Sequence, residues 1–245
     1  MDVFRSIVTW GICILYMMIM FPLNFFVWLL TFPFDRKKLV VHWLLVHQSL
    51  LLKTLIPFWK MSVDGKHNTG KGKAFVIIAN HQSMLDILFI NTLCLKYKWI
   101  SKIENSKVPV IGWYLKMAGY VTINRGNDES KAEMMEKSLK YLHDGVSIMI
   151  FPEGTRSIDS EIGFFKMGAF TMALMADVPI LPIILDGTGG ILPKHGWIMG
   201  NGSHIKIRVL DPVSPSLFGT DKPEELAEKF RKLYTSELVK LRNEQ

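Results

Sequence analysis

A histidine and an aspartate with four residues between them follow an apolar run, in the segment IIANHQSMLD at residues 77–86. An aspartate that accepts a hydrogen bond from one imidazole nitrogen fixes the tautomer of the ring and leaves the other nitrogen to act as a general base. Within one continuous helix, His81 and Asp86 would point about 140° apart, because each residue turns the helix by about 100°. The two side chains can therefore meet only if His81 precedes a helix and Asp86 lies in its first turn.

The same segment also has a purely local interpretation. Ser83, with Asp86 three residues later, resembles a capping box, in which the two side chains stabilise a helix start by about 1 kcal/mol. His81 would then be only a turn residue. A helix that starts at Ser83 would equally bring His81 and Asp86 together, so this segment alone does not decide between the two interpretations.

Later segments also place polar residues where apolar runs end. They are KWIS (98–101), which Lys102 follows, GYVTINR (119–125), which ends at Arg125, and FPEGTRS (151–157), which contains Glu153, Gly154, Thr155 and Arg156. A further segment, VPILP (178–182), has two prolines at a strand entrance. Taken singly, each charged segment is explained by a turn with a surface ion pair, worth less than about 1 kcal/mol.

Alternating strand and helix patterns must position these residues. Apolar runs predict strands at 59–63, 74–79, 98–101, 120–123, 147–151, 180–185 and 205–210, and helical patterns occupy 84–97, 110–118, 129–143, 167–176 and 223–242. Several strands are continuously apolar, as expected where both faces of a sheet are covered. The pattern predicts an α/β fold with a mixed, largely parallel sheet of about seven strands flanked by helices. Functional residues in such folds gather at the carboxyl ends of the strands.

The N-terminal part of the chain has a different composition. Residues 6–34 contain no charged side chain, and this run exceeds the length of about 20 residues that a spanning helix needs. A second apolar segment, 39–52, follows after a short charged turn. We predict a membrane-anchoring two-helix segment at 1–58 and an α/β domain at 59–245. A hairpin within one leaflet is slightly favoured over a single spanning helix with an interfacial helix after it.

Charge and cysteine content narrow the class of protein. The net charge of +7 is not arranged as a basic stripe between aromatic residues, so we expect no nucleic-acid partner and instead contact with anionic membrane lipids. The two cysteines, Cys13 and Cys94, lie in apolar segments and form neither a disulfide framework nor a metal site. We expect no metal and no cofactor, and a domain that faces the reducing cytoplasm.

Taken together, the segments resemble one family. NHQSMLD, GYVTINR, FPEGTRS and VPILP occur in this order and at these spacings in the glycerolipid acyltransferases. The resemblance covers residues 80–182 by motif, and the pair formed by NHx4D and FPEGTRS is specific. The first motif often has arginine after its histidine, where this chain has Gln82.

The resemblance implies a reaction and two catalytic roles. His81 would remove the proton from the 2-hydroxyl of lysophosphatidic acid, and Asp86 would orient the ring and stabilise its imidazolium form. The hydroxyl would attack the carbonyl of an acyl thioester directly, without an acyl-enzyme, and give phosphatidic acid.

The resemblance also implies which residues bind the acceptor. Arg125 and Arg156 would bind its phosphate through their planar guanidinium groups, and Lys102 would add a point charge. The remaining expected contacts come from the FPEGTRS loop. Glu153 would contact glycerol hydroxyls or orient a basic neighbour, Gly154 would let the backbone approach the ligand closely, and Thr155 would make a lesser contact.

Several alternatives stay open at this point. The acyl donor is an acyl carrier protein or a coenzyme A thioester. The acceptor could instead be glycerol 3-phosphate or another lysophospholipid. The alternative from another class is a non-catalytic lipid-binding protein on the same scaffold, which the intact His81 and Asp86 disfavour.

Overall fold

The computed structural model describes residues 2–69, 74–200 and 204–244. Two N-terminal helices precede a region in which strands and helices alternate. The helices are α1 (Asp2–Thr31), α2 (Leu39–Leu55), α3 (Asp86–Asn91), α4 (Ile111–Met117), α5 (Asp128–His143), α6 (Gly168–Ala176), α7 (Thr188–Ile191) and α8 (Pro223–Asn243). The strands are β1 (Met61–Asp64), β2 (Val76–Ala79), β3 (Tyr97–Lys102), β4 (Val121–Ile123), β5 (Ser147–Ile150), β6 (Ile180–Asp186) and β7 (Ile205–Val209).

The strands form one sheet in the order β1-β7-β6-β2-β5-β3-β4. All neighbouring pairs are parallel except β6 and β7, which are antiparallel. The predicted α/β fold with a mixed, largely parallel sheet is therefore confirmed. Because β2, β3, β4, β5 and β6 run in the same direction, their carboxyl ends lie along one edge of the sheet.

Each face of the sheet is covered by its own hydrophobic core. Ile77 belongs to the core that contains Phe89 of α3, whereas its neighbour Ile78 belongs to the core that contains Phe170 of α6 and Leu238 of α8. Successive side chains of a strand point to opposite faces, so a strand buried on both faces must be apolar throughout. This requirement explains the uninterrupted VIIA of β2.

One predicted helix is wrong in extent. The pattern predicts a helix over 84–97, but α3 ends at Asn91 and β3 already begins at Tyr97. The hydroxyl of Thr92 donates to the carbonyl of Phe89 at 2.6 Å, and Cys94 has a left-handed φ of 58°. These features end the helix, although the sequence after Asn91 remains apolar.

The helices α1 and α2 pack against each other and against the sheet region. The amide groups of Asn24 and Gln48 exchange two hydrogen bonds, of 2.8 and 3.0 Å, between the two helices. The imidazole of His42, fully buried, bonds the hydroxyl of Tyr120 and the carbonyl of Leu95. By length and composition, α1 is able to cross a membrane, and only 6% of its most apolar window is buried inside the protein.

Candidate active site

His81 and Asp86 form a hydrogen-bonded pair at the carboxyl end of β2. The Nδ1 of His81 lies 2.8 Å from Oδ2 of Asp86, because the chain leaves β2 at Ala79 and enters α3 at Asp86. The Asp86 side chain is fully buried, whereas 16% of the His81 side chain is exposed. The carboxylate can only accept, so the ring is protonated at Nδ1 and its Nε2 is the nitrogen that can take a proton.

The carboxylate of Asp86 and the hydroxyl of Ser83 both accept backbone N–H groups in the turn before α3. Oδ2 of Asp86 accepts the backbone N–H groups of Gln82 and Ser83 at 2.8 and 2.9 Å. The hydroxyl of Ser83 donates to the carbonyl of Leu192 and accepts the N–H of Leu85 at 3.3 Å, although the helix starts two residues later than a Ser83 cap predicts. Ser83 therefore keeps part of its expected capping role, Asp86 caps back onto the N–H of Ser83 as a capping box requires, and Asp86 also orients His81.

The ring of His81 lies flat against the ring of Phe151. Their centroids are 3.8 Å apart and the planes differ by 5°. Phe151 directly follows β5 and also packs against Trp99 of β3, with centroids 5.4 Å apart. The neighbouring strand thus fixes the plane of the imidazole, a contribution that the sequence analysis missed because Phe151 fits its strand pattern as an ordinary apolar residue.

Glu153 connects the FPEGTRS loop to His81. Its Oε1 accepts the backbone N–H of His81 at 2.9 Å, and its Oε2 accepts the N–H of Gly163 at 3.0 Å. The N–H of Ser157 in turn donates to the carbonyl of His81 at 2.7 Å. Burial raises the pKa of Glu153 to about 7, while the two backbone donors act in the opposite direction. Both oxygens of Glu153 therefore bind backbone, and this residue sets the position of His81.

The basic residues singled out in the sequence follow other strands of the same edge. Lys102 ends β3 and is paired with Ile123 of β4, two residues before Arg125. Arg156 lies in the loop after β5. Neighbouring strands are about 4.8 Å apart, so β4 lies about 14 Å from β2. The edge thus presents the imidazole at one position and the cationic side chains further along the same edge.

Gly154 and Lys166 lie against each other in the segment between β5 and α6. Gly154 has a left-handed φ of 70°, and a Cβ there would lie 3.1 Å from Nζ of Lys166. The backbone N–H of Lys166 donates to the carbonyl of Pro152 at 2.9 Å. Lys166 is a further cation beside the site, and no motif in the sequence analysis indicated it. Thr155 is exposed on the same loop.

Arg242 of the C-terminal helix shares hydrogen-bond acceptors with Gln82, the residue next to His81. The guanidinium of Arg242 in α8 donates to Oδ1 of Asp186 at 3.2 Å and to the carbonyl of Ser160 at 2.8 Å. The side-chain amide of Gln82 donates to the same two acceptors, at 3.1 and 3.3 Å. Gln82, the departure from the family motif, therefore shares its partners with an arginine from the other end of the chain.

An apolar cavity of about 250 Å³ lies between the two N-terminal helices and the sheet. Its walls include Tyr16 of α1, Leu45 of α2, Ile87 of α3 and Trp99 of β3. Trp99 contacts Phe151, which stacks on His81. Hydrocarbon is the kind of group that such a lining accommodates. Among the residues that the structure describes, no group of three or more His, Cys, Asp or Glu side chains could hold a metal ion.

The α/β fold and the oriented histidine define a general-base site of the kind that activates a hydroxyl group. Residues 60–186 match the family model named Acyltransferase, and the chain belongs to this family. The chain is 37% identical over 180 residues to a 1-acyl-sn-glycerol-3-phosphate acyltransferase of Chlamydomonas reinhardtii, with 73% of this chain and 52% of that protein covered. It is 30% identical over 200 residues to the 1-acyl-sn-glycerol-3-phosphate acyltransferase of Saccharomyces cerevisiae, with 80% and 65% covered.

A solved structure resembles the whole chain. The crystal structure of the 1-acyl-sn-glycerophosphate acyltransferase PlsC from Thermotoga maritima has a TM-score of 0.85 at 25% identity and covers 100% of this chain and 97% of that chain. By contrast, the chain spans about half the length of the algal relative. The similarity to PlsC therefore includes the two N-terminal helices as well as the region of the family model.

Proposed function

We propose that this protein transfers an acyl chain from an acyl thioester to the 2-hydroxyl of 1-acyl-sn-glycerol 3-phosphate and so makes phosphatidic acid. The observation that carries the proposal is the 2.8 Å contact between His81 and Asp86, with the FPEGTRS loop bound to the backbone of the same histidine. The membership of the acyltransferase family and the names of the relatives support the reaction and its acceptor.

The reaction needs one proton to move twice. Nε2 of His81 takes the proton of the 2-hydroxyl as the hydroxyl oxygen attacks the thioester carbonyl, and Asp86 stabilises the resulting imidazolium. The tetrahedral intermediate then collapses, the C–S bond breaks, and the imidazolium returns the proton to the leaving thiolate. General-base catalysis of this kind contributes about 10²–10⁴-fold, and alignment of the two substrates adds to it.

The cationic side chains along the edge would bind the phosphate of the acceptor. A phosphate monoester carries a charge of about −1.5 to −2 at pH 7, which planar guanidinium groups bind through two parallel hydrogen bonds. Arg156 and Arg125 supply such groups, and Lys102 and Lys166 supply point charges. In the proposed pose the 2-hydroxyl lies at His81 and the phosphate lies towards the cationic side chains, with Arg156 in the loop after β5, the neighbour of β2, and Arg125 after β4, three strands from β2.

The FPEGTRS loop would then have mainly an architectural part in binding. Glu153 uses both oxygens for backbone donors, which supports a role in orienting His81 over a direct contact with glycerol hydroxyls. Gly154 adopts a left-handed φ and lies against the side chain of Lys166, so it would let this cation, rather than the ligand, approach the backbone closely. Thr155, exposed on the same loop, would make a lesser contact.

The N-terminal helices would hold the enzyme at the membrane that contains its lipid acceptor. The exposed apolar surface of α1 supports burial in one leaflet at the cytoplasmic face, and the net charge of +7 favours anionic lipids. The cavity beside Trp99 would accept hydrocarbon from the leaflet. The donor would be a coenzyme A or acyl carrier protein thioester that arrives from the aqueous side.

The decisive test crosses acyl donors with acceptors. Purified protein in mixed micelles is given acyl coenzyme A or acyl carrier protein, with lysophosphatidic acid, glycerol 3-phosphate or a lysophospholipid with a larger headgroup. We expect phosphatidic acid from lysophosphatidic acid and a loss of at least about 10²-fold with His81→Ala. The matched control is His143→Ala, because His143 ends α5 at the opposite edge of the sheet. Near-normal turnover by His81→Ala would refute the mechanism, and preference for another acceptor would refute the substrate.

A further inference from the structure

Thr188 brings a buried hydroxyl to the side of Asp86 that faces away from the histidine. Its Oγ1 lies 2.5 Å from Oδ1 of Asp86, and Thr188 is fully buried. A second acceptor, Oε1 of Gln82, is 3.4 Å away. Because a hydroxyl has one proton and the nearer acceptor is charged, Thr188 donates to Asp86.

The two oxygens of the Asp86 carboxylate accept different numbers of hydrogen bonds. Oδ2 accepts from Nδ1 of His81 and from the N–H groups of Gln82 and Ser83. In the part of the chain that the structure describes, Oδ1 has only the hydroxyl of Thr188 as a donor. Rotation of the carboxyl group about its Cβ–Cγ bond would therefore exchange an oxygen with three donors for one with a single donor, and Thr188 helps to hold it against that rotation.

The backbone at the end of β6 is shaped to deliver this hydroxyl. β6 is the parallel neighbour of β2, with Ala79 paired to Ile183, so its carboxyl end lies beside the turn that contains His81. Gly187 has a left-handed φ of 92°, and a Cβ there would lie 2.5 Å from the carbonyl of His204. Only glycine fits this turn without strain, and the turn directs the next residue, Thr188, over Asp86.

We propose that Thr188 is a positioning residue for the proposed acyl transfer, which acts through Asp86 to keep the imidazole of His81 aligned with the acceptor hydroxyl. This inference rests on the proposed function. It assigns a role to the GTGG segment after β6, whose residues carry none of the roles described above. Thr188 itself contacts neither substrate, so its loss should lower kcat and leave KM for donor and acceptor unchanged.

The test compares Thr188→Val, which keeps the shape of the side chain, with Thr188→Ser, which keeps the hydroxyl. A lost hydrogen bond to a charged group corresponds to about 10- to 100-fold in kcat, and we expect this loss with valine and recovery to within about threefold with serine. The matched control is Thr92→Val, because Thr92 is also buried but donates to the carbonyl of Phe89. Thermal unfolding of each variant shows whether a lower kcat accompanies a loss of folded protein.

A double-mutant cycle separates positioning from a general effect on folding. If Thr188 acts through the carboxylate, Thr188→Val should change kcat by less than about twofold in an Asp86→Asn background. An equal loss in both backgrounds, or a valine variant with wild-type kcat, would overturn the proposal.

A measurement that needs no turnover keeps this inference separate from the proposed function. In protein labelled with ¹⁵N-histidine, the Nδ1 resonance of His81, assigned by its loss in His81→Ala, should move in Thr188→Val and return towards its original position in Thr188→Ser. If wild-type protein transferred no acyl group to any acceptor, the proposed function would fail while this shift still tested the contact. An Nδ1 resonance unchanged by valine would overturn the role of Thr188 whatever the activity.

Discussion

Replacing Asp86 by asparagine should remove the charge beside His81 and leave most of the geometry in place. The oxygen at the position of Oδ2 accepts from His81, Gln82 and Ser83. An asparagine that keeps its carbonyl oxygen there retains all three donors, and its amide group then meets the hydroxyl of Thr188, which can accept. In the reversed orientation, the amide N–H groups of the asparagine would face the backbone N–H groups of Gln82 and Ser83, which are also donors. The asparagine therefore has one favoured orientation.

The expected size of the effect follows from this orientation. In a serine protease triad the same change costs about 10⁴ in kcat because the amide imposes the wrong tautomer. In this site the backbone donors of Gln82 and Ser83 preserve the tautomer, so the loss should come from charge alone. Two unit charges about 4 Å apart interact by about 4 kcal/mol at an effective dielectric constant of about 20. Because Asp86 is fully buried, this value applies, and it corresponds to about 10³-fold in kcat.

The assay measures thiol release and phosphatidic acid formation at saturating donor and acceptor. The matched control is Asp144→Asn, which removes a charge from an exposed position just after α5, far from the carboxyl edge. KM for lysophosphatidic acid should stay within about threefold of wild type, since Asp86 does not contact the acceptor. Circular dichroism and thermal unfolding should show a folded Asp86→Asn variant.

Two results would refute this reasoning. A loss in kcat below about fivefold is what a fully solvated pair predicts, at about 1 kcal/mol in water, and would mean that the carboxylate does not stabilise the imidazolium. A loss of 10⁴-fold or more, as in the protease triad, would mean that the asparagine amide turns to His81 despite the backbone donors. The ¹⁵N shifts of His81 distinguish these two tautomers directly.

Three further changes test the proposed phosphate-binding residues, the FPEGTRS loop and the contacts of Arg242 in α8. Arg156→Gln should raise KM for lysophosphatidic acid by about 10- to 100-fold, the equivalent of one charge-assisted hydrogen bond, and should barely change KM for a monoacylglycerol without phosphate. Glu153 has a folded-state pKa of about 7 against 4.5 for a free glutamate. The folded state therefore keeps this proton up to a higher pH than the unfolded state does, and the stability of the wild type should fall as the pH rises between these two values. The loss should approach about 3 kcal/mol relative to Glu153→Gln in denaturant unfolding. Arg242→Ala should lower the free energy of unfolding by about 1 kcal/mol, because Arg242 is partly exposed, and should speed amide exchange in residues 157–161.

Each of these changes has a control and a contradictory result. Arg36→Gln removes an exposed arginine from the turn between α1 and α2, and an equal rise of KM with this control would contradict the role of Arg156. Parallel stability curves for wild type and Glu153→Gln from pH 4.5 to 7 would contradict the raised pKa. Arg242→Lys keeps the charge but loses the planar guanidinium group. Full recovery of the free energy of unfolding with lysine would therefore contradict the role of the Arg242 contacts with Asp186 and Ser160.

The parts of the fold that the sequence predicts are those with local causes. A strand covered on both faces must be apolar throughout, and VIIA of β2 shows this within four residues. The polar residue that follows such a strand marks its carboxyl end, which is why the position of His81 could be read from the sequence. The extent of α3 could not, because the sequence stays apolar after Asn91, while the Thr92 hydroxyl that bonds Phe89 and the left-handed φ of Cys94 end the helix.

The partners of Asp86 illustrate the same limit within the site. The His81 contact is five residues away in sequence and could be proposed from spacing. The Thr188 contact is 102 residues away, and it exists only because β6 pairs with β2. A buried threonine next to glycines has no chemical signature of its own, so only the sheet order shows that it reaches the carboxylate. Ser83 shows the same limit, since its hydroxyl accepts the N–H of nearby Leu85 but donates to the carbonyl of Leu192, 109 residues away in sequence.

The polar residues of the N-terminal helices link α1 and α2 to the region of the base. In an apolar helix pair, a buried amide or imidazole is stable only where it is hydrogen bonded. His42 finds its partners on the sheet side, at Tyr120 and the carbonyl of Leu95, so α2 has one fixed position relative to β3 and β4. The cavity behind α2 shares Trp99 with the site, and Trp99 supports Phe151 beneath the His81 ring. A shift of the helix pair would therefore change both the volume of this cavity and the packing that supports the plane of the imidazole.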